Sequence, residues 1–265
     1  MNPAVLTVRN LSVQTASGPG QRPAADHVSF ELRQGEVLAL VGESGCGKTK
    51  TAEAIMGLLS PDRWKVTADE IRLEGTELTR LTPREAGRIR GSEISMVFQE
   101  PLTALDPVFT CGYQLCSVFR RHRGMGRRES RESSLAMFGK VGFSDPERTF
   151  NSYPHQLSGG MRQRVMIAMA MACRPAVLIA DEPTTALDVT TQAQVLAQLV
   201  ELGRAYGTAI LLITHDLGVV AQYANRALVM SGGKIVENAR VDELFDRPRH
   251  PATVTLLSHA AGAVN

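Results

Sequence analysis

Apolar and polar positions alternate along the first thirty-odd residues. Leu6, Val8 and Leu11 form one run and Val28, Phe30 and Leu32 a second, with a Gly/Pro-rich stretch from Gly18 to Pro23 between them. This alternation, period two from Val28 to Leu32 and broken by one extra residue between Val8 and Leu11, predicts an antiparallel β layer with a turn. Residues 36–41 are largely apolar and predict a strand that runs straight into a glycine-rich segment. A helix is predicted from 48 to about 58, stopped by Pro61. Strand-like segments recur at 71–73 and 94–98. After Gln99 the pattern changes: from Pro101 to about Tyr153 Arg and Ser are abundant and the spacing is helical, which predicts an inserted helical lobe. Beyond it come a helix over 160–172, a buried strand over 177–180, a helix over 190–204, a strand over 209–213 and a helix from about 217. A β-hairpin closes the pattern, with Ala227 to Met230 and Lys234 to Val236 joined through Ser231-Gly232-Gly233. Strand and helix in alternation predict an α/β fold, a parallel sheet with helices on both faces.

Composition narrows the function classes. Of 265 residues, 43% are hydrophobic and 21% charged, proportions of a folded globular protein and not of a disordered one. The formal charge of +2 is too small to point to nucleic acid or an anionic membrane as the main partner. The arginine-rich run from Arg120 to Arg131 has no interleaved aromatics on which bases could stack, and reads as a solvated helical face or loop. Cys46, Cys111, Cys116 and Cys173 are too few and scattered for a disulfide framework, and Cys111 and Cys116 have only His122 nearby to complete a metal set. No apolar stretch approaches the ~20 residues that cross a bilayer, and the N-terminus lacks a basic-then-apolar leader pattern. The expectation is a cytosolic chain that works at a membrane only if other chains hold it there.

The chemistry sits in the segments around the predicted strands. Gly42-Glu43-Ser44-Gly45-Cys46-Gly47-Lys48-Thr49 fits the P-loop pattern, with a strand before it and a helix after it. Its glycines let successive backbone N–H groups converge on phosphates, and the helix adds its positive end. Lys48 supplies a cation for the β and γ phosphates, and the Thr49 hydroxyl is placed for Mg²⁺. The run Val177-Leu178-Ile179-Ala180 ends abruptly in Asp181 and Glu182. Two adjacent acids at a strand end can divide labour, one for a metal and one to orient and deprotonate water. As bare turn carboxylates they would carry no function; the buried run before them and the P-loop upstream favour the catalytic reading.

Between these halves lies Leu157-Ser158-Gly159-Gly160-Met161, which belongs to neither. It resembles the signature of the ATP-binding cassette (ABC) family. Other segments match that family in order: Met96 to Pro101 resembles the Q-loop, Thr185-Ala186-Leu187-Asp188 the D-loop, and Ile213-Thr214-His215-Asp216 the switch motif. The resemblance runs from about residue 6 to 257. It implies a single nucleotide-binding domain over 1–265: a P-loop core of mixed sheet and flanking helices, an N-terminal antiparallel β layer, and a helical subdomain at about 101–160. It also implies residue roles. ATP and Mg²⁺ are the cofactors; Asp181 serves Mg²⁺, Glu182 is the catalytic base, Gln99 contacts metal and attacking water, and His215 senses the γ-phosphate. Ser158, Gly159 and Gly160 sit at a helix start, a recipe for an anion site, and close over ATP held by a second ATPase subunit, with Asp188 in the loop between the two sites.

Finer features narrow the group. Residues 96–107 and 179–194, together with His250-Pro251-Ala252-Thr253 and Leu256-Leu257, are similar to the ATPases of oligopeptide, dipeptide and nickel importers. Many of those continue into a cysteine-containing extension that is absent before Asn265, which adds weight to nickel or metal-chelate uptake. The resemblance implies a similar but different second ATPase chain, two transmembrane permease subunits and, indirectly, an extracytoplasmic substrate-binding protein. It places the chain on the cytoplasmic face of the membrane. The alternative is an accessory ATPase of a soluble enzyme complex, of the phosphonate-breakdown type. Two positions depart from the family. Leu11-Ser12-Val13-Gln14-Thr15 lacks the aromatic that stacks on adenine, and Lys50 stands where an uncharged residue is commoner, to reach the α-phosphate or face solvent.

Overall fold

The structure, a computed structural model, describes residues 3–16, 22–99, 104–185 and 187–262. Residues 18–21 of the predicted turn, Glu100 and Pro101 of the Q-loop segment and start of the helical lobe, and Ala186 of the D-loop segment lie outside them.

In chain order the strands and helices are β1 (Ala4–Thr15), β2 (Ala25–Arg33), β3 (Val37–Val41), α1 (Lys48–Ile55), β4 (Trp64–Thr67), β5 (Glu70–Leu73), β6 (Thr76–Glu77), α2 (Pro83–Ile89) and β7 (Ile94–Val97). Then follow α3 (Cys111–Arg123), α4 (Arg127–Lys140), α5 (Pro146–Asn151), α6 (Gly159–Met171), β8 (Val177–Asp181) and α7 (Val189–Tyr206). The chain ends in β9 (Ala209–Ile213), α8 (Leu217–Tyr223), β10 (Arg226–Ser231), β11 (Lys234–Arg240), α9 (Val241–Asp246) and α10 (Pro251–Gly262). Two compact units result, one from Met1–Gly87 with Ala209–Asn265 and the other from Arg88–Thr208. The fold class is α/β.

The first unit opens with the antiparallel layer, in the order β2-β1-β5-β6 with β4 also on β1. Leu6 and Val8, and then Leu11 and Val13, are buried along β1, each pair in period two with a change of phase between them. The register slips between Val8 and Leu11, where Asn10 adopts a left-handed φ of 50° and donates its N–H to the Ser29 hydroxyl. This bulge bends β1. Before it β1 pairs with β5, Arg9 opposite Glu70; beyond it β1 pairs with β4, Thr15 opposite Trp64.

The unit's second layer runs β11-β10-β3-β9. β3 is parallel to both neighbours, and β11 returns antiparallel from β10. Every residue of β3 and β9 is buried, the continuous apolar pattern of a sheet covered on both faces. Ala39 and Val41 pack with Leu217 and Val220 of α8, Val229 of β10 and Leu244 of α9, while Leu256 and Leu257 of α10 lie against that cluster.

The second unit carries β7 parallel to β8, Ile94 opposite Val177 through Val97 opposite Ala180, with helices α3 to α7. Leu115, Phe119 and Phe138 form its core, and Phe138 meets Phe143 edge-on with centroids 5.6 Å apart. A Cβ at Gly112 would lie 2.3 Å from the Phe150 ring, so α3 and α5 meet at a glycine. Cys111 and Cys116 are buried free thiols; burial pushes the Cys111 thiol up to about 11, and Cys116 lies against the Ser134 hydroxyl. The arginine-rich run is engaged within the unit: Arg120 over Tyr113, Arg123 on the Cys173 carbonyl, Arg128 with Glu132 and Arg131 with Glu147.

Some boundaries differ from the pattern. α1 stops at Ile55 and not near 58, because Gly57 turns left-handed before Pro61 is reached. α7 is longer than its apolar stripe, starting at the Asp188 cap and ending at left-handed Gly207.

Candidate functional site

In the first unit, β3 delivers the P-loop at its carboxyl end. Gly42 (φ +154°) and Gly47 (φ +111°) hold conformations that L side chains rarely adopt. A Cβ on Gly42 would stand 2.2 Å from the Met230 carbonyl oxygen, and one on Gly47 1.8 Å from that of Ala24. The loop is thus pressed against β10 on one side and the start of β2 on the other. Gly233 ties it down by donating its N–H to the Cys46 carbonyl at 3.2 Å. Glu43, Ser44 and Gly45 are exposed at the loop's crest. Lys48 is 6% exposed, and its ammonium donates to the carbonyls of Gly42 (2.8 Å) and Glu43 (3.0 Å). That fixes its charge at the centre of the cradle. Burial raises the Cys46 thiol above its ordinary value, so the loop's cysteine is a neutral packing group. Thr49 lies half-buried in the first turn of α1.

Lys50 takes a third course beyond the two foreseen. Its ammonium pairs with the Glu53 carboxylate and sits 5.1 Å from the centroid of the Trp64 ring. In the same unit β9 lies beside β3, Ile213 opposite Leu40, so His215 follows the strand adjacent to the one that feeds the P-loop, at the same sheet edge. His215 is exposed; below it the Thr214 hydroxyl accepts from the Asp216 N–H, and Asp216 caps α8.

The second unit repeats this arrangement with β7 and β8. Gln99 follows one strand, and Asp181 and Glu182 end the other. The Gln99 amide donates to the Glu182 carboxylate at 3.2 Å, and the Thr185 hydroxyl donates to the same oxygen at 2.9 Å. Asp181 is 2% exposed, whereas Glu182 is half-buried and has a left-handed φ of 43°. That backbone costs a non-glycine residue about 1 kcal/mol or more. Asp188 caps α7 by accepting from the Thr191 N–H, which together with the Thr191 hydroxyl holds its carboxyl below the usual range.

Ser158 caps α6 in the same way, its hydroxyl accepting from the Met161 N–H at 3.3 Å. Such a cap contributes about 1 kcal/mol, and the first N–H groups of Gly159 and Gly160 lack partners within the helix. A Cβ at Gly160 would fall 2.4 Å from Thr191, so this glycine also lets α6 and α7 approach.

Comparison with known proteins identifies the family. Residues 25–185 match the family model described as ABC transporter. The chain belongs to the ABC transporter family. The cassette is 50% identical over 254 residues to the oligopeptide transport ATP-binding protein AppD of Bacillus subtilis, covering 96% of this chain and 77% of that one. It is 45% identical over 255 residues to the dipeptide transport ATP-binding protein DppD of Escherichia coli K12, with the same coverage. Among solved structures, the dimeric post-hydrolysis state of the cassette MJ0796 bound to ADP and Pi aligns with a TM-score of 0.75 and 28% identity, over 89% of this chain and 98% of that one. The chain is accordingly an ATPase of the ABC family, and its P-loop belongs to a nucleotide-binding cassette.

Two residues of this cassette carry site contacts that sequence reasoning gave no role. The sequence marks Thr185 only as the first position of the D-loop segment and does not single out Trp64. No described helix is long and apolar enough to cross a membrane.

Proposed function

We propose that this chain is the ATP-hydrolysing subunit that energises a peptide-importing ABC transporter at the cytoplasmic face of the membrane. The observation that carries the proposal is made in each unit by itself: Lys48, Thr49 and His215 follow the parallel strands β3 and β9 in the first, and Gln99, Asp181 and Glu182 lie at the carboxyl ends of the parallel strands β7 and β8 in the second. The oligopeptide and dipeptide transport names of the relatives favour peptides over nickel or metal chelates, and transport over a soluble enzyme complex.

The roles follow from chemistry. The P-loop N–H groups of residues 42–49 and the Lys48 ammonium hold the β and γ phosphates of ATP. Glu182, steadied by Gln99 and Thr185, takes a proton from water as its oxygen bonds the γ-phosphorus; the bond to the β–γ bridging oxygen breaks and ADP leaves. His215 faces the γ-phosphate and reports its presence. The oxygen-rich donor set suits Mg²⁺, which Thr49, Gln99 and Asp181 would hold and which would neutralise charge on the phosphates. Ser158, Gly159 and Gly160 present hydroxyl and N–H donors to ATP held by a second, similar cassette chain, and Asp188 lies in the loop passing between the two sites.

The chain acts as one nucleotide-binding domain whose helical part, at about 101–160, receives the movement. Val108 (69% exposed), Phe109 and Tyr113 form an apolar patch there, with the two rings stacked at 4.7 Å. Exposed apolar clusters of this kind mark protein contacts, and two permease subunits are the partners proposed for it. An extracytoplasmic binding protein enters only through those permeases.

Purification of the tagged chain from gently solubilised native cells tests the proposal. Two multi-span membrane proteins and a second cassette chain should accompany it. Recovery with soluble metabolic enzymes and no membrane chain would overturn the transport assignment and leave the ATPase chemistry in place.

A further inference from the structure

The strand that opens the chain offers no ring to a nucleotide, since its last residues are Leu11, Ser12, Val13, Gln14 and Thr15. The strand beside it does. Trp64, the chain's single tryptophan, stands directly across from Thr15 in the β1–β4 ladder. Directly opposed residues of an antiparallel pair project from the same face of the sheet, with Cβ atoms roughly 5 Å apart. The ladder continues past them, with the Ala16 N–H on the Arg63 carbonyl at 2.8 Å. The indole therefore rises where a side chain at Thr15 rises.

β4 gives this tryptophan no core to fill. Lys65, Val66 and Thr67 are all exposed and Trp64 itself is only half-buried. What the ring does touch leads to the phosphate loop. Lys50 lies two residues beyond Lys48, in the first turn of the helix that the loop opens, and its ammonium is held between the Glu53 carboxylate and the indole. One side chain thus links the aromatic surface to the phosphate cradle, and all of these groups lie in one compact unit.

We propose that Trp64 is the base platform of the nucleotide site, with the purine of ATP stacking on its indole and Lys50 standing on the phosphate side. The proposal rests on the ATPase reading above and deepens it, because it names what holds the base. Stacking of a base on an aromatic ring is sequence-tolerant and worth ~1–3 kcal/mol, and the lower half of that range corresponds to an ATP dissociation constant about tenfold weaker when the ring is removed.

Because Trp64 is the only tryptophan of these 265 residues, its emission in the unmodified chain reports on this position alone. Titration with ATP should quench or shift that emission, while tripolyphosphate, which has no base, should compete for the site and leave the emission nearly unchanged. Equilibrium dialysis with labelled ATP then supplies a second readout. Trp64→Ala should bind ATP about tenfold more weakly, Trp64→Phe should recover most of the loss, and Thr15→Tyr in the Trp64→Ala background should restore binding from the neighbouring strand. ATP that binds without altering the emission, or a folded Trp64→Ala chain with parental affinity, would overturn the platform and leave the ATPase reading standing. A parent chain that binds no ATP at all would overturn both.

Discussion

Glu182 is the residue at which the backbone is most tightly committed to chemistry. Its left-handed conformation is unfavourable for a side chain of its kind, and two donors, Gln99 and Thr185, converge on one of its oxygens. Replacing the carboxylate by an amide keeps the shape and removes the proposed base, so Glu182→Gln should lose more than about 99% of ATP hydrolysis while still binding ATP. Thr185 should behave differently, since it only aims the base. Thr185→Ala is expected to lower kcat about three- to tenfold with little change in KM, and Thr185→Ser, which keeps the hydroxyl, should restore it. Steady-state kinetics with a nucleotide-binding assay separates the two; an unchanged kcat in Thr185→Ala would remove the positioning role. The acid pair itself was legible in the sequence, because an apolar run that ends in two carboxylates has few structural uses. Thr185 was not, because its hydroxyl reaches Glu182 only after the turn in which the Thr185 N–H bonds the Glu182 carbonyl has formed. Trp64 was hidden for a related reason: its meaning depends on pairing with Thr15, across a long stretch of intervening chain.

Among the elements, α10 depends on a single buried carboxylate. Glu237 of β11 is 8% exposed and accepts from the N–H groups of Arg249 and His250 and from the Thr253 hydroxyl, which pins the start of the helix. Burial alone would raise its pKa, but the Thr253 hydroxyl and the two N–H groups outweigh burial and hold it below its ordinary 4.5. A carboxylate depressed in the folded state stabilises above its unfolded value and loses that contribution as pH falls through the folded one. α10 should therefore stay protected above about pH 5 and loosen as the solution is acidified below 4.5. Glu237→Gln should loosen it already at neutral pH. Hydrogen exchange of residues 251–259 measures both; equal protection in parent and variant would show that the apolar contacts of Leu256 and Leu257 suffice. Most elements were legible because buried strands such as β8 and β9 are short apolar runs and α6 and α7 carry caps. Those missed bury little. β4 exposes three of its four residues, and α2 has no buried residue to create a stripe. Its capping box, Thr82 with Glu85, was the available signal.

At the scale of the whole molecule, the cassette should associate through nucleotide. Co-expressed with the proposed second cassette chain and loaded with ATP, the Glu182→Gln protein should sediment as a two-cassette species, and without nucleotide as separate chains. Ser158→Asp keeps a good helix cap but sets a negative charge against the phosphates, so it should abolish association while each chain still binds ATP in its own P-loop. Association of Ser158→Asp at the parental level would place the interface elsewhere. The first unit is assembled from both ends of the chain, with β3 paired to β9 and β10, and such distant pairings form late. The phosphate loop shares that fate. Its shape is set by the Ala24 carbonyl on one side and by Met230 and Gly233 on the other. During synthesis, the motif emerges from the ribosome long before the hairpin that clamps it. The growing chain therefore lacks the finished cradle until the β10–β11 turn has been made, and nucleotide becomes available as a stabilising ligand only after that hairpin has formed.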